Sequence, residues 1–460
     1  MTHGLYKTTN FSLPCLGTMG KVDFGKEFGR KYFHTRSPDV IDVNNGSFGN
    51  VPDVILQLYC DHTMEQNRFI EKYLRYDQRK EYIDGLKAIA KVVNCDFKSL
   101  ALVGNATTAV HTVLRSYPFK KGDKIVYAST TYGGCSKIIK YLEDKGFIEA
   151  IAVEIKLPTS QDDIVDLFAA AIKEHRPTMC FFDTVSSMPA LRFPFERLTQ
   201  LCHDENVLSM VDGAHGIGLL DISIDTLKPD FFVSNIHKWM YVPRGCAFLY
   251  VDRKHFSKVH TTPISHSYLC DDVVLPEHLE EYRLIDRFQF VGTENKASIS
   301  TIPQAINFRE EVCGGEKSIQ NYCNKLSQDA AEEITKNVWP GMKVLKIDGA
   351  PSTALFNVQV PIEKYLPSDF NRSELADCLL YLAEQICRNQ STFVPLLVYY
   401  DKVYARFSCQ VFNTVDDYVE VCSRIEDEMS KLFSSGKYKE LTSQKHSGAL
   451  FQLIEKFDNL

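Results

Sequence analysis

The chain has 460 residues, of which 44% are hydrophobic and 24% charged, and its formal net charge is −7 at pH 7. This length is sufficient for a large domain and a smaller one, and the negative charge offers no electrostatic attraction for nucleic acid. No apolar run approaches the roughly 18–20 residues needed to span a bilayer. We therefore expect a globular protein that binds neither nucleic acid nor a membrane.

The 14 cysteines are scattered along the chain without any C-x-x-C pair. Cys180, Cys246 and Cys409 lie within apolar, strand-like runs. Such unpaired cysteines are typical of small buried hydrophobic side chains in a reducing compartment, so we expect no structural metal. Residues 1–7 lack the apolar core of a secretory signal. These observations favour a cytoplasmic location.

The segment from about residue 100 to 255 alternates short apolar runs with helix-like stretches. The apolar runs are 100–103, 124–127, 150–153, 179–182, 207–211 and 231–234. Such alternation predicts an α/β fold with a mostly parallel sheet flanked by helices. Because ligands bind at the carboxyl ends of the strands in such sheets, the residues directly after each run are candidate site residues.

The pattern changes beyond about residue 300, where longer helix-like stretches are separated by two strand-like runs, 354–360 and 405–411. This pattern predicts a smaller α+β domain at the C-terminal side. We therefore divide the chain into an N-terminal segment (1–45), a large domain (46–300), a small domain (301–433) and a polar, lysine-rich C-terminal extension (434–460).

Asn105, Ala106 and Thr107 lie between the first run and a predicted helix. Backbone N–H groups at a helix N-terminus, together with threonine hydroxyls, can bind a phosphate. Taken alone, the same residues would also be a routine helix cap. No Walker or G-x-G-x-x-G motif occurs there, so nucleotide binding has little support.

Three further side chains follow the next runs. Tyr132 could stack on a flat ring and transfer a proton through its hydroxyl, although a tyrosine in a surface turn is the plainer interpretation. Asp183 and Ser186 follow the run 179–182, where a hydroxyl could bond to a cofactor's ring oxygen. An ordinary Ser/Thr turn is the alternative there.

Asp212 and Lys238 follow the last two runs, 26 residues apart, so both side chains are expected in one crevice. Pyridoxal phosphate requires this pair: an amine for a Schiff base and an acid that keeps the pyridine nitrogen protonated. Alone, each would be an exposed lysine or a helix-capping acid, but the pairing favours the cofactor. We predict a pyridoxal-phosphate enzyme with Lys238, Asp212 and Tyr132 as catalytic residues and His215 at the cofactor site.

Together these segments closely resemble the class V aminotransferase family of fold-type-I pyridoxal-phosphate enzymes. Within it they are most similar to the branch that contains isopenicillin N epimerase, cysteine-lyase-like proteins and the fungal hercynylcysteine sulfoxide lyases. The similarity extends from residues 44–49, NNGSFG, to residues 406–413. It departs from the branch at residues 183–185, where Asp-Thr-Val replaces the frequent Asp-His-Val.

The resemblance implies further site residues. Asn235 and His237 would help to hold the phosphate, while Gly292 and Thr293 would complete the phosphate site of a neighbouring subunit in a homodimer with shared active sites. Two residues would bind the substrate carboxylate: Arg406, whose planar guanidinium suits bidentate binding, and Asn45 beside it.

The resemblance also implies a reaction, the β-elimination that cleaves a C–S bond of a cysteine-derived amino acid. Amino transfer or epimerisation by the same scaffold remains an alternative. Cysteine desulfuration needs a reactive thiol on a mobile loop, and Cys313, before two glycines, lacks the serine/glycine-rich setting of such loops. A catalytically inactive relative would not need Lys238, Asp212 and Arg406 together.

Overall fold

A mixed sheet of seven strands forms the centre of the larger part of the protein. The computed structural model describes residues 23–270 and 272–441. In chain order the strands are β1 (Leu100–Val103), β2 (Lys124–Ala128), β3 (Glu149–Val153), β4 (Met179–Asp183), β5 (Leu208–Asp212), β6 (Phe231–Asn235) and β7 (Ala247–Val251). The spatial order is β1-β7-β6-β5-β4-β2-β3, and every neighbouring pair is parallel except the two that involve β7. The predicted mostly parallel sheet is confirmed.

Helices surround this sheet. In chain order they are α1 (Lys26–Tyr32), α2 (Asn45–Phe48), α3 (Asp53–Arg68), α4 (Ile70–Lys72), α5 (Gln78–Val92), α6 (Ala106–Ser116), α7 (Gly133–Asp144), α8 (Gln161–His175), α9 (Phe195–Asp204), α10 (Ile224–Leu227), α11 (Ile236–Trp239), α12 (Glu277–Glu280), α13 (Arg283–Phe288), α14 (Ala297–Ser300) and α15 (Ile302–Glu311).

The central strands are buried on both faces, as is usual for parallel sheets between helices. Every residue of β4 and of β6 is buried. This burial explains why both strands read as continuous apolar runs instead of alternating ones. It also means that the polar residues at their carboxyl ends, Asp183 and Asn235, are held at fixed positions by the sheet.

A second sheet of four antiparallel strands forms the C-terminal part. Its strands are β8 (Val344–Leu345), β9 (Leu355–Gln359), β10 (Leu396–Tyr399) and β11 (Lys402–Ser408), in the spatial order β10-β11-β9-β8. The helices of this part are α16 (Glu316–Glu333), α17 (Leu375–Asn389), α18 (Val415–Ser434) and α19 (Tyr438–Leu441). Helix α18 begins after Thr414, whose backbone N–H donates to Asp417 Oδ2 at 2.9 Å. This is the half of a capping box in which the third helical residue bonds back to the cap residue.

Polar contacts join the two sheets. The side-chain amide of Asn357 on β9 bonds to both backbone groups of Ala190, at 2.8 and 2.9 Å. The hydroxyl of Tyr399 on β10 donates to the Ile155 carbonyl at 2.8 Å and accepts from the Leu157 N–H at 3.1 Å. These contacts fix β11, which carries Arg406, relative to the carboxyl ends of the large sheet.

The ends of the chain lie partly outside the described residues. Residues 1–22 of the predicted N-terminal segment and 442–460 of the predicted extension belong to those parts. Within the described part of the extension, α19 packs its Tyr438 ring against Phe370, with centroids 5.7 Å apart. None of the described helices is both long and apolar enough to cross a membrane.

Candidate active site

Three ionisable side chains meet at the carboxyl edge of the large sheet. Asp183, at the end of β4, is paired in register with Asp212, at the end of the parallel strand β5. Lys238 lies on α11, the single helical turn that directly follows β6. The carboxyl groups of Asp212 and Asp183 are close enough to raise the pKa of the Lys238 amine, so the three side chains form one cluster. The sequence predicts this proximity for Asp212 and Lys238.

Asp212 is buried, with 2% of its surface exposed. Its Oδ1 accepts the N–H of Ala214 at 2.9 Å, and its Oδ2 accepts the thiol of Cys135 at 3.4 Å. Burial raises the pKa of Asp212, while these two hydrogen bonds and the Lys238 charge oppose that rise. Of the two carboxyl groups, that of Asp212 is therefore better stabilised as an anion than that of Asp183.

Asp183 has less support for a negative charge. Its side chain is buried, and its Oδ2 has no hydrogen-bond partner among the described residues. Burial, and then the adjacent Asp212, raise the pKa of Asp183 well above its usual range. Because two neighbouring buried carboxylates do not both ionise readily, Asp183 is the neutral member of the pair.

Lys238 is held close to a neutral histidine. Its Nζ lies 3.2 Å from Nε2 of His215. Burial, together with the charge of Arg406, lowers the pKa of Lys238 to about 8. Burial, followed by the charges of Lys238 and Arg406, lowers the pKa of His215 well below its usual range. The lowered pKa makes part of the lysine amine neutral near physiological pH, and that part is able to act as a nucleophile or base.

The turn at residues 44–50 supports the lysine from the other side. The amide of Asn45 donates to the Lys238 carbonyl at 3.2 Å, and the amide of Asn50 donates to Asn45 Oδ1 at 3.1 Å. Gly49 has φ +75°, and a β-carbon there would collide with the carbonyl of His237. Asn45 thus contacts the lysine backbone, and its predicted place at the substrate carboxylate stays a prediction.

The predicted phosphate cradle is the N-terminus of α6. Asn105 caps this helix by accepting the Thr108 N–H at 2.8 Å, and Asn235 Oδ1 accepts the Ala106 N–H at 2.8 Å. These bonds use two of the orphan donors of the first turn. Asn235 therefore holds the start of the helix in place. Within the described residues, the Thr107 N–H remains available to an anion.

Two other predicted site residues adjoin this region. Gly134 on α7 lies between the Tyr132 ring and Thr107. A β-carbon at Gly134 would lie 2.9 Å from the ring, which is too close, and 3.6 Å from the Thr107 methyl. Tyr132 is 45% exposed, and its stacking on a cofactor ring stays a prediction. His237 Nδ1 lies 2.7 Å from the Cys246 carbonyl, and burial lowers its pKa to about 4. Its phosphate contact stays a prediction.

Arg406 on β11 is a buried cation with 2% of its surface exposed. Nη1 donates to the Ser187 carbonyl at 3.0 Å, and Nη2 donates to Asn44 Oδ1 at 2.7 Å and to Ser47 Oγ at 2.6 Å. No ion pair to a carboxylate forms in residues 23–270 and 272–441, and burial lowers the pKa of Arg406 to about 10. A buried guanidinium with only neutral partners is suited to bind an external anion.

Three further predicted site residues, Ser186, Gly292 and Thr293, lie in loops, and their contacts with a cofactor stay predictions. The Ser186 hydroxyl donates to the Pro189 carbonyl at 2.7 Å, so its hydrogen is used in a bond within the same loop. Ser187 is the residue of this loop that contacts Arg406. Gly292 and Thr293 lie on the loop between α13 and α14, where Thr293 is exposed. Because their predicted contact is with a neighbouring subunit, it stays a prediction.

The chain matches the family model for aminotransferase class V over residues 51–372. It belongs to this family of pyridoxal-phosphate enzymes. It is 27% identical over 432 residues to an L-cysteine desulfhydrase-like protein of Epichloe uncinata, covering 86% of this chain and 94% of that protein. It is 25% identical over 407 residues to the hercynylcysteine sulfoxide lyase of Schizosaccharomyces pombe, covering 88% and 97%. The predicted family is confirmed.

Solved structures share the fold. The cystine C–S lyase C-DES, in complex with cysteine persulfide, has a TM-score of 0.68 at 16% identity, covering 85% of this chain and 98% of that chain. The apo cysteine desulfurase of Thermococcus onnurineus NA1 has a TM-score of 0.67 at 17% identity, covering 91% and 100%. These likenesses confirm the predicted α/β fold of the pyridoxal-phosphate transferases.

The side chains at the edge of the sheet fit the family's cofactor. An amine with a lowered pKa at Lys238 suits its aldehyde, a hydrogen-bonded anion at Asp212 suits its protonated ring nitrogen, and the start of α6 at Thr107 suits its phosphate. The unpartnered Oδ2 of Asp183 adds a buried polar atom that needs a partner. Sequence reasoning had no signal for Cys135.

Proposed function

We propose that this enzyme is a pyridoxal-phosphate-dependent carbon–sulfur lyase that acts on a cysteine-derived amino acid by β-elimination. The assignment of an amino-acid substrate rests on one observation about Arg406. Among the described residues this buried cation has only neutral partners, and its charge acts directly on the Lys238 amine. The relatives named L-cysteine desulfhydrase-like protein and hercynylcysteine sulfoxide lyase support the sulfur chemistry.

The cofactor would be held at three points. Lys238 would bind its aldehyde carbon covalently, Asp212 would pair with its ring nitrogen, and the α6 N-terminus at Thr107 would receive its phosphate. When bound, pyridoxal phosphate supplies a protonated ring that withdraws electrons from the substrate's α-carbon. Asp212 keeps that ring nitrogen protonated, because a buried anion stabilises a neighbouring positive charge.

Arg406 would orient the substrate through its α-carboxylate. The guanidinium offers parallel N–H donors that match a carboxylate, and its contacts with Ser187, Asn44 and Ser47 hold the plane of the group. An anion bound there would also supply the counter-charge that this buried cation lacks. The substrate's α-carbon would then lie within reach of the Lys238 amine.

Lys238 and Tyr132 would move the protons. With the cofactor and substrate bound, the Lys238 amine would take the substrate's α-proton. The Cα–H and Cβ–S bonds break, a Cα=Cβ bond forms, and the sulfur leaves with the proton that the Tyr132 hydroxyl delivers. Water then converts the released enamine to pyruvate and ammonia. No oxidant or acceptor is consumed.

The position of Cys313 gives cysteine desulfuration less support than β-elimination. This thiol is only 2% exposed, at the end of α15, and burial raises its pKa to about 12. A nucleophilic cysteine needs exposure and a lowered pKa. Cys313 would therefore be a poor acceptor of sulfur from a substrate.

We expect Arg406→Lys to weaken substrate binding roughly 10–100-fold while the bound cofactor is retained. Lysine keeps the charge but loses the paired donors, and a charge-assisted hydrogen bond contributes about 1.5–3 kcal/mol. Steady-state kinetics should show a raised KM, with unchanged visible absorption. The exposed pair of Arg388 with Glu384 provides the control Arg388→Lys, which should behave as wild type. Unchanged kinetics for Arg406→Lys would refute the carboxylate site.

We expect Tyr132→Phe to bind substrate and to turn over about 10²–10⁴-fold more slowly, because a positioned acid contributes that much. The ring remains, so cofactor binding should be retained. Tyr141→Phe, at an exposed tyrosine of α7, is the control for loss of a hydroxyl. A Tyr132→Phe protein with wild-type turnover would remove Tyr132 from the mechanism.

We also propose a cytoplasmic homodimer in which the Thr293 loop of one subunit completes the phosphate site of the other. Phe69, Tyr76 and Val274 expose 64%, 74% and 92% of their surfaces, and such exposed apolar side chains suit an interface between subunits. The thirteen described cysteines all have free thiols, which supports a reducing compartment.

Light scattering should therefore report about twice the 52.4 kDa of one chain. Thr293→Ala should leave that mass unchanged but weaken cofactor retention during dialysis, because it removes a hydroxyl from the partner's phosphate site. Thr226→Ala, at an exposed threonine of the short helix α10, serves as a control for loss of a threonine hydroxyl. A cofactor-loaded, active monomer would contradict the shared site.

The substrate class is tested with a panel of free cysteine, cysteine S-conjugates and S-substituted cysteine sulfoxides. Pyruvate formation without an added 2-oxo acid identifies the substrate that this site accepts. We expect kcat/KM to be highest for a substituted cysteine or its sulfoxide. If only transfer of the amino group to an oxo acid is seen across the panel, the aminotransferase alternative replaces the lyase.

A further inference from the structure

The indole of Trp239 is hydrogen-bonded to the histidine that contacts Lys238. Trp239 is 2% exposed, and its ring meets that of His215 edge-on, with centroids 6.2 Å apart. Its Nε1 lies 3.3 Å from Nδ1 of His215. Because an indole N–H can only donate, the Nδ1 atom accepts. The ring hydrogen of the neutral His215 is then on Nε2.

This tautomer sets the direction of the next hydrogen bond. The Nε2–H of His215 faces the Lys238 Nζ at 3.2 Å. A neutral amine can accept that hydrogen, whereas an ammonium group has three donors and no acceptor. When the lysine is neutral, the indole therefore donates to His215 and His215 donates to the amine. When the lysine is charged, this second hydrogen bond cannot form.

The backbone of Trp239 is fixed independently of its side chain. Arg309, fully buried on α15, donates from Nη1 to the Trp239 carbonyl at 2.6 Å and forms an ion pair with Glu316. The backbone that carries the indole is thus held by a contact in which the histidine takes no part. A group placed in this way can impose an orientation on its partner.

We propose that Trp239 is a positioning residue whose indole N–H fixes His215 as the Nε2–H tautomer and thereby favours the neutral, reactive form of the Lys238 amine. The inference rests on the proposed role of Lys238 as the point of cofactor attachment. It adds that a side chain that acts on the amine through His215 controls the state of that amine.

Other groups also act on the lysine and must stay constant in the test. Burial and Arg406 on β11 favour the neutral amine, whereas Asp212 on β5, Cys135 on α7 and Asp183 on β4 favour the charged form. None of these residues is changed in the variants below. Removing the indole N–H therefore isolates the contribution of the hydrogen-bond chain.

The test compares Trp239→Phe with Trp339→Phe, which replaces the only other tryptophan of the chain. Trp339 is equally buried, and its Nε1 has no hydrogen-bond partner among the described residues. Nitrogen NMR of ¹⁵N-histidine-labelled apoprotein reports the tautomer of His215, whose signals are assigned by their loss in His215→Gln. We expect the Nε2–H tautomer in the wild type and in Trp339→Phe, and its loss or mixing in Trp239→Phe.

A second readout is the rate at which the apoprotein binds pyridoxal phosphate covalently, measured by visible absorption across a pH series. Without the indole N–H, His215 can accept a hydrogen bond from the lysine ammonium, so the Trp239→Phe profile should move to higher pH. A displacement of one pH unit makes attachment about tenfold slower at neutral pH, with the wild-type rate recovered at high pH. General damage to the fold would instead lower the rate at every pH.

Unchanged histidine signals and an unshifted pH profile in Trp239→Phe would overturn the inference. If this variant does not melt cooperatively, benzothienylalanine incorporated at position 239 in a Trp339→Phe background keeps the ring shape without the N–H, and the same two outcomes apply. Peptide mapping after borohydride reduction separates the two proposals. Attachment to a lysine other than Lys238 would overturn the site assignment, whereas the NMR result concerns Trp239 alone.

Discussion

Replacement of Lys238 by alanine should reduce turnover by at least ~10²–10⁴-fold, the contribution of a positioned proton-transfer group, and should abolish covalent attachment of the cofactor. The amine is the only candidate in this cluster for both roles, and its pKa of about 8 leaves it partly neutral at physiological pH. Visible absorption should show loss of the attached cofactor. Borohydride reduction of the wild type should label the peptide that contains Lys238.

Lys296 supplies the internal control for this labelling. It is also buried, and burial lowers its pKa, but its Nζ donates to the Gln289 carbonyl at 2.7 Å. Its peptide should remain unlabelled, and a Lys296→Ala protein that folds should still attach the cofactor. Label on Lys296 in the wild type would end the assignment of Lys238.

Asp212→Asn should retain much of the cofactor and lose about 10²–10³-fold in turnover, the scale typical of removing one electrostatic stabilising group. The amide preserves the shape of the side chain but cannot keep the ring nitrogen protonated. Asp183→Asn is the matched control. Because the pKa of Asp183 is raised well above its usual range, this carboxyl is already neutral, and an amide should change turnover only a few-fold.

Pre-steady-state absorption and steady-state kinetics of both variants decide between the two carboxylates. Equal losses for Asp183→Asn and Asp212→Asn would show that the two side chains share one charge. A fully active Asp212→Asn protein would show that the pairing with the ring nitrogen is wrong.

The sequence was most informative where a side chain's position follows directly from a strand. The apolar runs at 179–182, 207–211 and 231–234 became β4, β5 and β6 with ends that differ by at most one residue. The parallel sheet then brings Asp183, Asp212 and the segment after β6 to one edge. No packing detail is needed for that conclusion, which explains why this cluster of ionisable side chains was predictable.

Contacts between distant segments could not be predicted in the same way. Asn44 and Ser47 bond to Arg406 from 362 and 359 residues away, and Cys135 reaches Asp212 from α7. Ser186 illustrates the opposite case, because its hydroxyl bonds within its own loop. Such choices depend on rotamers and on the packing of the two sheets, neither of which has a periodic pattern in the sequence.

The most direct test of the central claim is the stoichiometry of products from an S-substituted cysteine sulfoxide incubated with the purified holoenzyme in the absence of any 2-oxo acid. A carbon–sulfur lyase should release pyruvate and ammonia in equal amounts, at a rate that added oxo acid does not change, and should leave the chirality of unreacted substrate intact. Amino transfer that depends on an oxo acid, or racemised substrate without pyruvate, would contradict the proposed β-elimination.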